Sequence, residues 1–211
     1  MFADREDAGR RLGAHLRDVG ITASVVLGLP RGGVPVAAAV AAVLNLPLDV
    51  IIVRKLGLPT YPEVAMGSIG EGDVRLLDLT LIGEVGVTLA ELAAVERRER
   101  ETLERRAVTL RGGRPRRDLT GQTVLIVDDG IATGATASAA CLVARRLGAA
   151  HVIVAAPVGG PDAGVRVSGA DRVVCLEQPA GFQAVGAFYR VFDQTTEDEV
   201  VRLLSESRER P

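Results

Sequence analysis

Apolar residues in this chain fall in short unbroken runs, separated by stretches whose small and charged residues recur with helical spacing. The runs SVVLGL (24–29), LDVIIV (48–53), QTVLIVDD (122–129), HVIVAAPV (151–158) and RVVCL (172–176) lack the alternation of a half-exposed strand. A strand that is apolar at every position has both faces covered, as in a parallel sheet lying between helices. Between the runs, VPVAAAVAAVLN (34–45) and an Ala-rich stretch over about 135–147 read as helices, and a short helix follows Pro161. Alternating strands and helices predict an α/β fold with a doubly wound parallel sheet.

Helices also flank this series. Residues 4–18 form one, with Asp4 as N-cap, Asp7 in the first turn and Gly20 beyond the last. The last helix opens at Thr196, with Glu199 three residues on in a capping-box pattern. The middle of the chain departs from strand–helix alternation, and an insertion of about 64–111 is expected there. In it, the Gly-punctuated 66–77 predicts a hairpin and TLAELAAVERRERETLERRAVTL (88–110) one long charged helix. Glu96/Arg100 and Glu101/Arg105 have the favourable i,i+4 order for pairing along a solvated helix. RGGRPRRDLTG (111–121) is a basic connector.

Composition narrows the function more than the fold. At 211 residues with 47% apolar and 25% charged content, one folded domain over 1–211 is expected. A net charge of -2 gives no general attraction for nucleic acid or an anionic membrane, so any bound anion must be held locally. Cys141 and Cys175 sit in apolar runs with no metal-ligand spacing and read as small buried hydrophobes, which fits a reducing cytoplasm. The first residues are charged where a signal peptide is apolar, and no apolar stretch is long enough to span a bilayer.

Candidate chemistry concentrates in VLIVDDGIATGAT (124–136), where an apolar strand runs into two carboxylates and a loop of small and hydroxyl residues opens a helix. Gly130 and Gly134 let the backbone curl with its N–H groups inward, Thr133 and Thr136 add hydroxyl donors, and the helix dipole favours an anion. That suits a phosphomonoester. Asp128 and Asp129 would repel it, and instead suit a polyhydroxyl group together with a divalent cation such as Mg²⁺, bound directly or through water. Phosphate, diol and metal together describe a phosphorylated sugar. A second Gly-rich loop, GLPRGG (28–33), also joins a strand to a helix, and Arg31 could add a charge-assisted contact to an anion there. Taken alone, that loop reads equally as a connecting turn.

The segment 124–136 resembles the phosphoribosylpyrophosphate (PRPP) motif of type I phosphoribosyltransferases. Overall the chain is similar to a bacterial subgroup with GLPRGG, RK and DDGxATG signatures. The resemblance implies that Asp128 and Asp129 contact the ribose 2- and 3-hydroxyls. It implies that the loop Gly130, Ile131, Ala132, Thr133, Gly134, Ala135 and Thr136 wraps the 5-phosphate. Pro30, Arg31, Gly32 and Gly33 then correspond to the pyrophosphate loop. In a flavodoxin-like strand order the strands ending at Gly28 and Asp128 are neighbours, so both loops flank one crevice. Arg54 and the sole lysine, Lys55, are expected at the end of the second strand on the same edge, within reach of the pyrophosphate. The following stretch, with Tyr61, Glu63 and Glu71, lies where the family has a mobile loop.

Hood elements are expected from about 1–20 and 177–211. In the second, Phe182 could stack on a planar acceptor and the backbone near Val185 could bond its edge. Equally, the aromatic residues there could simply pack the C-terminal helix. The activity implied is transfer of phosphoribosyl from PRPP to a base, a purine being favoured because the orotate and uracil signatures are missing, and a homodimer goes with it. Two rivals stay open: a regulatory protein that binds PRPP without turnover, and a hydrolase using Asp128 and Asp129 as metal ligands.

Overall fold

A computed structural model of the chain describes residues 1–208. Its elements run α1 (Arg5–Asp18), β1 (Val25–Gly28), α2 (Gly33–Leu44), β2 (Leu48–Val50), β3 (Val53–Gly57), β4 (Ala65–Gly70), β5 (Val74–Leu77), α3 (Leu79–Val85), α4 (Leu89–Arg111), β6 (Thr123–Val127), α5 (Ala135–Arg146), β7 (His151–Val158), α6 (Ala163–Arg166), β8 (Arg172–Glu177) and α7 (Glu197–Arg208).

The unbroken apolar runs are explained by burial on both sides. On one face of the central sheet Val26, Val50, Leu125 and Val127 pack with residues of α1, α2 and α7. On the other, Val25, Leu27, Val124 and Ile126 pack with Ala137, Ala140, Cys141 and Val143 of α5. Adjacent residues of a strand point to opposite faces, so a strand covered twice must be apolar throughout. The sheet has the order β2-β1-β6-β7-β8, with every neighbouring pair parallel. It is the doubly wound order that the sequence predicts. Gly28 pairs with Val127, so the loops leaving β1 and β6 emerge side by side at the switch point.

The middle of the chain differs from expectation in three ways. The predicted second strand, 48–53, is split: β2 ends at Val50, and Val53 opens β3 in a separate antiparallel sheet of order β3-β4-β5. Arg54 and Lys55 therefore sit in that second sheet and not at the end of a core strand. A short helix, α3, follows β5 where the sequence suggested none. Finally, α4 forms as one helix with a full Thr88–Glu91 capping box, but Glu96 and Arg100 pair off it, with Arg75 and Asp73, and Glu99 reaches Arg54 as well as Arg98. A second sheet lying alongside gives those side chains partners that periodicity cannot reveal.

Arg111, at the end of α4, ties the insertion to the core. Its Nε donates to Asp49 Oδ1 at 3.0 Å, Nη1 to Glu71 Oε1 at 2.7 Å, and Nη2 to Glu71 Oε2 at 3.0 Å and to the Val50 carbonyl at 2.8 Å. Glu71 also accepts from Ile52 N, and Asp49 from Arg117 N. All three side chains are buried. Glu71 thus belongs to a closed interior network and not to a loop over a reacting centre, as its sequence position had suggested.

Candidate active site

Asp128 and Asp129 follow β6 directly, where the strand's carboxyl end meets the loop 130–134. That loop is fixed by its neighbour: Ile131 N donates to Val158 O at 2.9 Å and Gly160 N to Ile131 O at 3.3 Å. Gly134, with φ of +76°, turns the chain into α5, and a Cβ there would lie 2.7 Å from Arg166 O. Ala132, Thr133, Ala135 and Thr136 are exposed, the N-cap Gly134 has no side chain to offer, and Ala135 N donates to Thr133 Oγ1 at 3.4 Å. The rest of this exposed helix start favours an anion. The amino end of α2, after Gly32, has no side-chain cap, and there Gly33 N donates to Leu29 O at 3.0 Å and Val34 N to Arg31 O at 3.1 Å.

The two loops touch at the acid pair. A Cβ on Gly32 would lie 2.2 Å from Asp129 Oδ2, and one on Gly33 2.8 Å from Asp128 Oδ1. Only glycine lets the loop after β1 close against these carboxylates. The Pro30–Arg31 peptide is cis. Arg31 makes no ion pair among the described residues and faces a recess of about 260 Å³ shared with residues 194–198.

The electrostatics of the pair are uncomfortable. Burial, then the charge of Asp129, push the Asp128 carboxyl up to about 8. Burial also raises Asp129, against the pull of Arg5. Asp128 takes a hydrogen bond from Asp129 N at 2.9 Å but no ion pair among the described residues. Arg5 ion-pairs only with Asp129, so a further cation or hydroxyl donors would relieve Asp128. Among the described residues no group of three or more His, Cys, Asp and Glu could cage an ion. Mg²⁺ needs about six oxygen ligands, so the acid pair fits it only if a polyphosphate or diol ligand supplies the rest.

Other predicted residues are placed differently. Arg54 Nη2 is 2.5 Å from Glu99 Oε2. Burial alone would raise Glu99, yet the bond and charge of Arg54 hold it below the ordinary value. Lys55 Nζ lies 3.0 Å from Glu63, both exposed. Both cations are engaged away from the acid pair. Val185 packs on Gly130, where a Cβ would meet its Cγ1 at 2.5 Å. Phe182 stacks on Phe188 with centroids 5.8 Å apart. The segment after β8 is thus in contact with the loop 130–134.

Sequence reasoning missed two residues. Tyr189 Oη donates to the Asp129 carbonyl at 2.6 Å, its ring packed between Phe2 and Phe192. Arg5 Nε donates to Asp129 Oδ2 at 3.0 Å. One local signal existed: Arg5 is the first residue of α1, where a positive charge opposes the helix dipole and needs an outside partner.

With this geometry in hand, comparison with known proteins is direct. A family model described as "Phosphoribosyl transferase domain" matches residues 4–189. The Mycobacterium tuberculosis protein named "Putative phosphoribosyl transferase Rv0571c" is 54% identical over 205 residues, covering 97% of this chain and 46% of that protein. The chain thus spans about half the length of the curated relatives it matches. The crystal structure of TT1426 from Thermus thermophilus matches with a TM-score of 0.82 and 42% identity, covering 97% of this chain and 98% of that one. A hypothetical protein from Neisseria gonorrhoeae with bound ppGpp, at 14% identity and a TM-score of 0.50, covering 97% of this chain and 93% of that one, shares the fold. Because the matched region runs through both Gly-rich loops, the acid pair and Tyr189, the chain belongs to the phosphoribosyl transferase family.

Proposed function

We propose that this chain transfers the 5-phosphoribosyl group of PRPP to a ring nitrogen of a small base, with Mg²⁺ bound alongside. One observation carries the reading: two Gly-rich loops, each leading into a helix, flank a part-buried acid pair whose first member has no ion pair among the described residues. The exposed loop 130–136 holds the 5-phosphate, and Asp128 and Asp129 accept from the ribose hydroxyls. The loop of Pro30, Arg31, Gly32 and Gly33 holds the pyrophosphate. A bond forms from the acceptor nitrogen to the anomeric carbon while the carbon–oxygen bond to pyrophosphate breaks. Pyrophosphate leaves with the electron pair, and the acceptor's N–H proton passes to solvent. The N–H groups of the loop before α2, at Arg31 and Gly32, and the Arg31 guanidinium stabilise the charge that develops on the leaving group. The chemistry Mg²⁺ supplies when bound is neutralisation of that same charge.

Lys55 joins them only by leaving Glu63, and an exposed pair of this kind is worth about 0–1 kcal/mol, so it is no barrier. The acceptor we favour is a purine, held between Phe182 and the backbone near Val185, in a cytoplasmic homodimer. A second reading, PRPP binding without turnover, draws support from the engagement of Arg54 with Glu99.

Pyrophosphate release from Mg²⁺-PRPP, measured over purine and pyrimidine bases with a no-base control, separates these. Base-dependent release is expected. Release without base would indicate a hydrolase, and binding without release in the folded protein would favour the regulatory reading.

A further inference from the structure

Arg5 reaches the site through close helix packing. In α1, Gly9 and Gly13 lie so near α2 that a Cβ would stand 2.5 Å from Val36 O and 2.8 Å from Val43 Cβ, respectively. That approach brings the start of α1 over the acid pair. Arg5 is held there on three sides: Nε bonds Asp129 Oδ2 at 3.0 Å, Nη1 donates to the Asp193 carbonyl at 2.6 Å, and the guanidinium lies 3.9 Å over the Phe192 ring. The Arg5 and Asp129 side chains are only 13% and 17% exposed, so solvent screens the pair little. Oδ2 is enclosed by Arg5 and Gly32, whereas Oδ1 takes no side-chain hydrogen bond from the described residues.

We propose that Arg5 is a positioning residue for Asp129: it occupies one carboxylate oxygen, leaves the other to the ribose hydroxyls of PRPP, and thereby sets how tightly the sugar is held. The inference rests on the PRPP reading above. Arg5 hydrogen-bonds no atom of either loop, although its Nε lies 3.4 Å from where a Gly32 Cβ would stand, so the larger effect belongs to Asp129 and the ribose.

The test is calorimetric titration of the wild-type chain, Arg5→Lys and Arg5→Gln with PRPP and separately with pyrophosphate, each with Mg²⁺ and each variant's Tm recorded. Removing a charged hydrogen-bond partner is expected to weaken PRPP binding by roughly ten- to a hundredfold in Arg5→Gln. Arg5→Lys keeps the charge but not the fork, and should recover part of the loss. Pyrophosphate, which has no ribose for Asp129 to hold, should lose clearly less affinity than PRPP in either variant. A hood staple without a positioning role would lower Tm and weaken both ligands alike, which overturns the proposal. So does PRPP binding that is unchanged or tighter in Arg5→Gln. If the wild-type chain does not bind PRPP at all, the parent reading fails first, and visibly so.

Discussion

Two clusters in this molecule are built from the same parts, two carboxylates and one arginine, and they behave in opposite ways. At Asp49, Glu71 and Arg111, the guanidinium sits between the acids and bonds both, while backbone N–H groups of Ile52 and Arg117 take further carboxylate oxygens. Burial works against the charge of Arg111, but the bonds and charge of Glu71, then Asp49, hold its pKa above the ordinary value. At Asp128, Asp129 and Arg5 the acids are adjacent in the chain, the arginine bonds only the second, and the first is pushed up to about 8. A satisfied cluster fastens elements together. An under-compensated one keeps unmet acceptor and charge capacity, which on the proposed reading PRPP and Mg²⁺ complete.

Variants can sharpen that contrast, and Arg111→Ala should have the largest effect. It removes the guanidinium that bonds both buried carboxylates and should cost about 3–5 kcal/mol of stability, read as a lower denaturation midpoint. Arg5→Gln, measured in the same way, should lose far less, because it exposes carboxylates that already tolerate imperfect pairing. Equal losses would erase the distinction between the clusters.

The pH dependence of the ligand-free chain comes next. A carboxyl raised from 3.8 to about 8 binds its proton more tightly folded than unfolded. Its contribution is therefore an increasing penalty as pH rises through that window, complete above it and absent below the unfolded value. Asp7, Glu99 and Asp171, all lowered, act oppositely, and their stabilisation is lost only as pH falls below their ordinary range. Tm should thus fall between about pH 5 and pH 8, Asp128→Asn should flatten that slope, and a slope unaltered in the variant would show that the acid pair is not its source.

Tyr189→Phe should be mildest. It removes one neutral hydrogen bond to the Asp129 carbonyl, worth about 1 kcal/mol, and should lower Tm slightly with a correspondingly small loss of PRPP affinity.

Much of this was legible before any coordinates. Unbroken apolar runs gave the strands, and the DDGIATG and GLPRGG segments gave the loops, because a strand end, glycines and a helix start are contiguous in the chain. The split at Val50 was hidden, since 48–53 is almost wholly apolar, and only the sheet shows where pairing with β1 ceases.

What the sequence by itself determined is what neighbours in the chain determine: periodicity, caps and turn chemistry. The Thr88–Glu91 box spans three residues and the acid pair one peptide bond. What only the tertiary structure decided are the long-range charge partners: Arg5 with Asp129 across 124 residues, Arg111 with Asp49 across 62, Arg54 with Glu99 across 45. Any of the chain's many arginines could serve any of its acids, and local propensity does not rank them. Helix packing through Gly9 and Gly13 selects Arg5, and with it which of the two clusters remains incomplete.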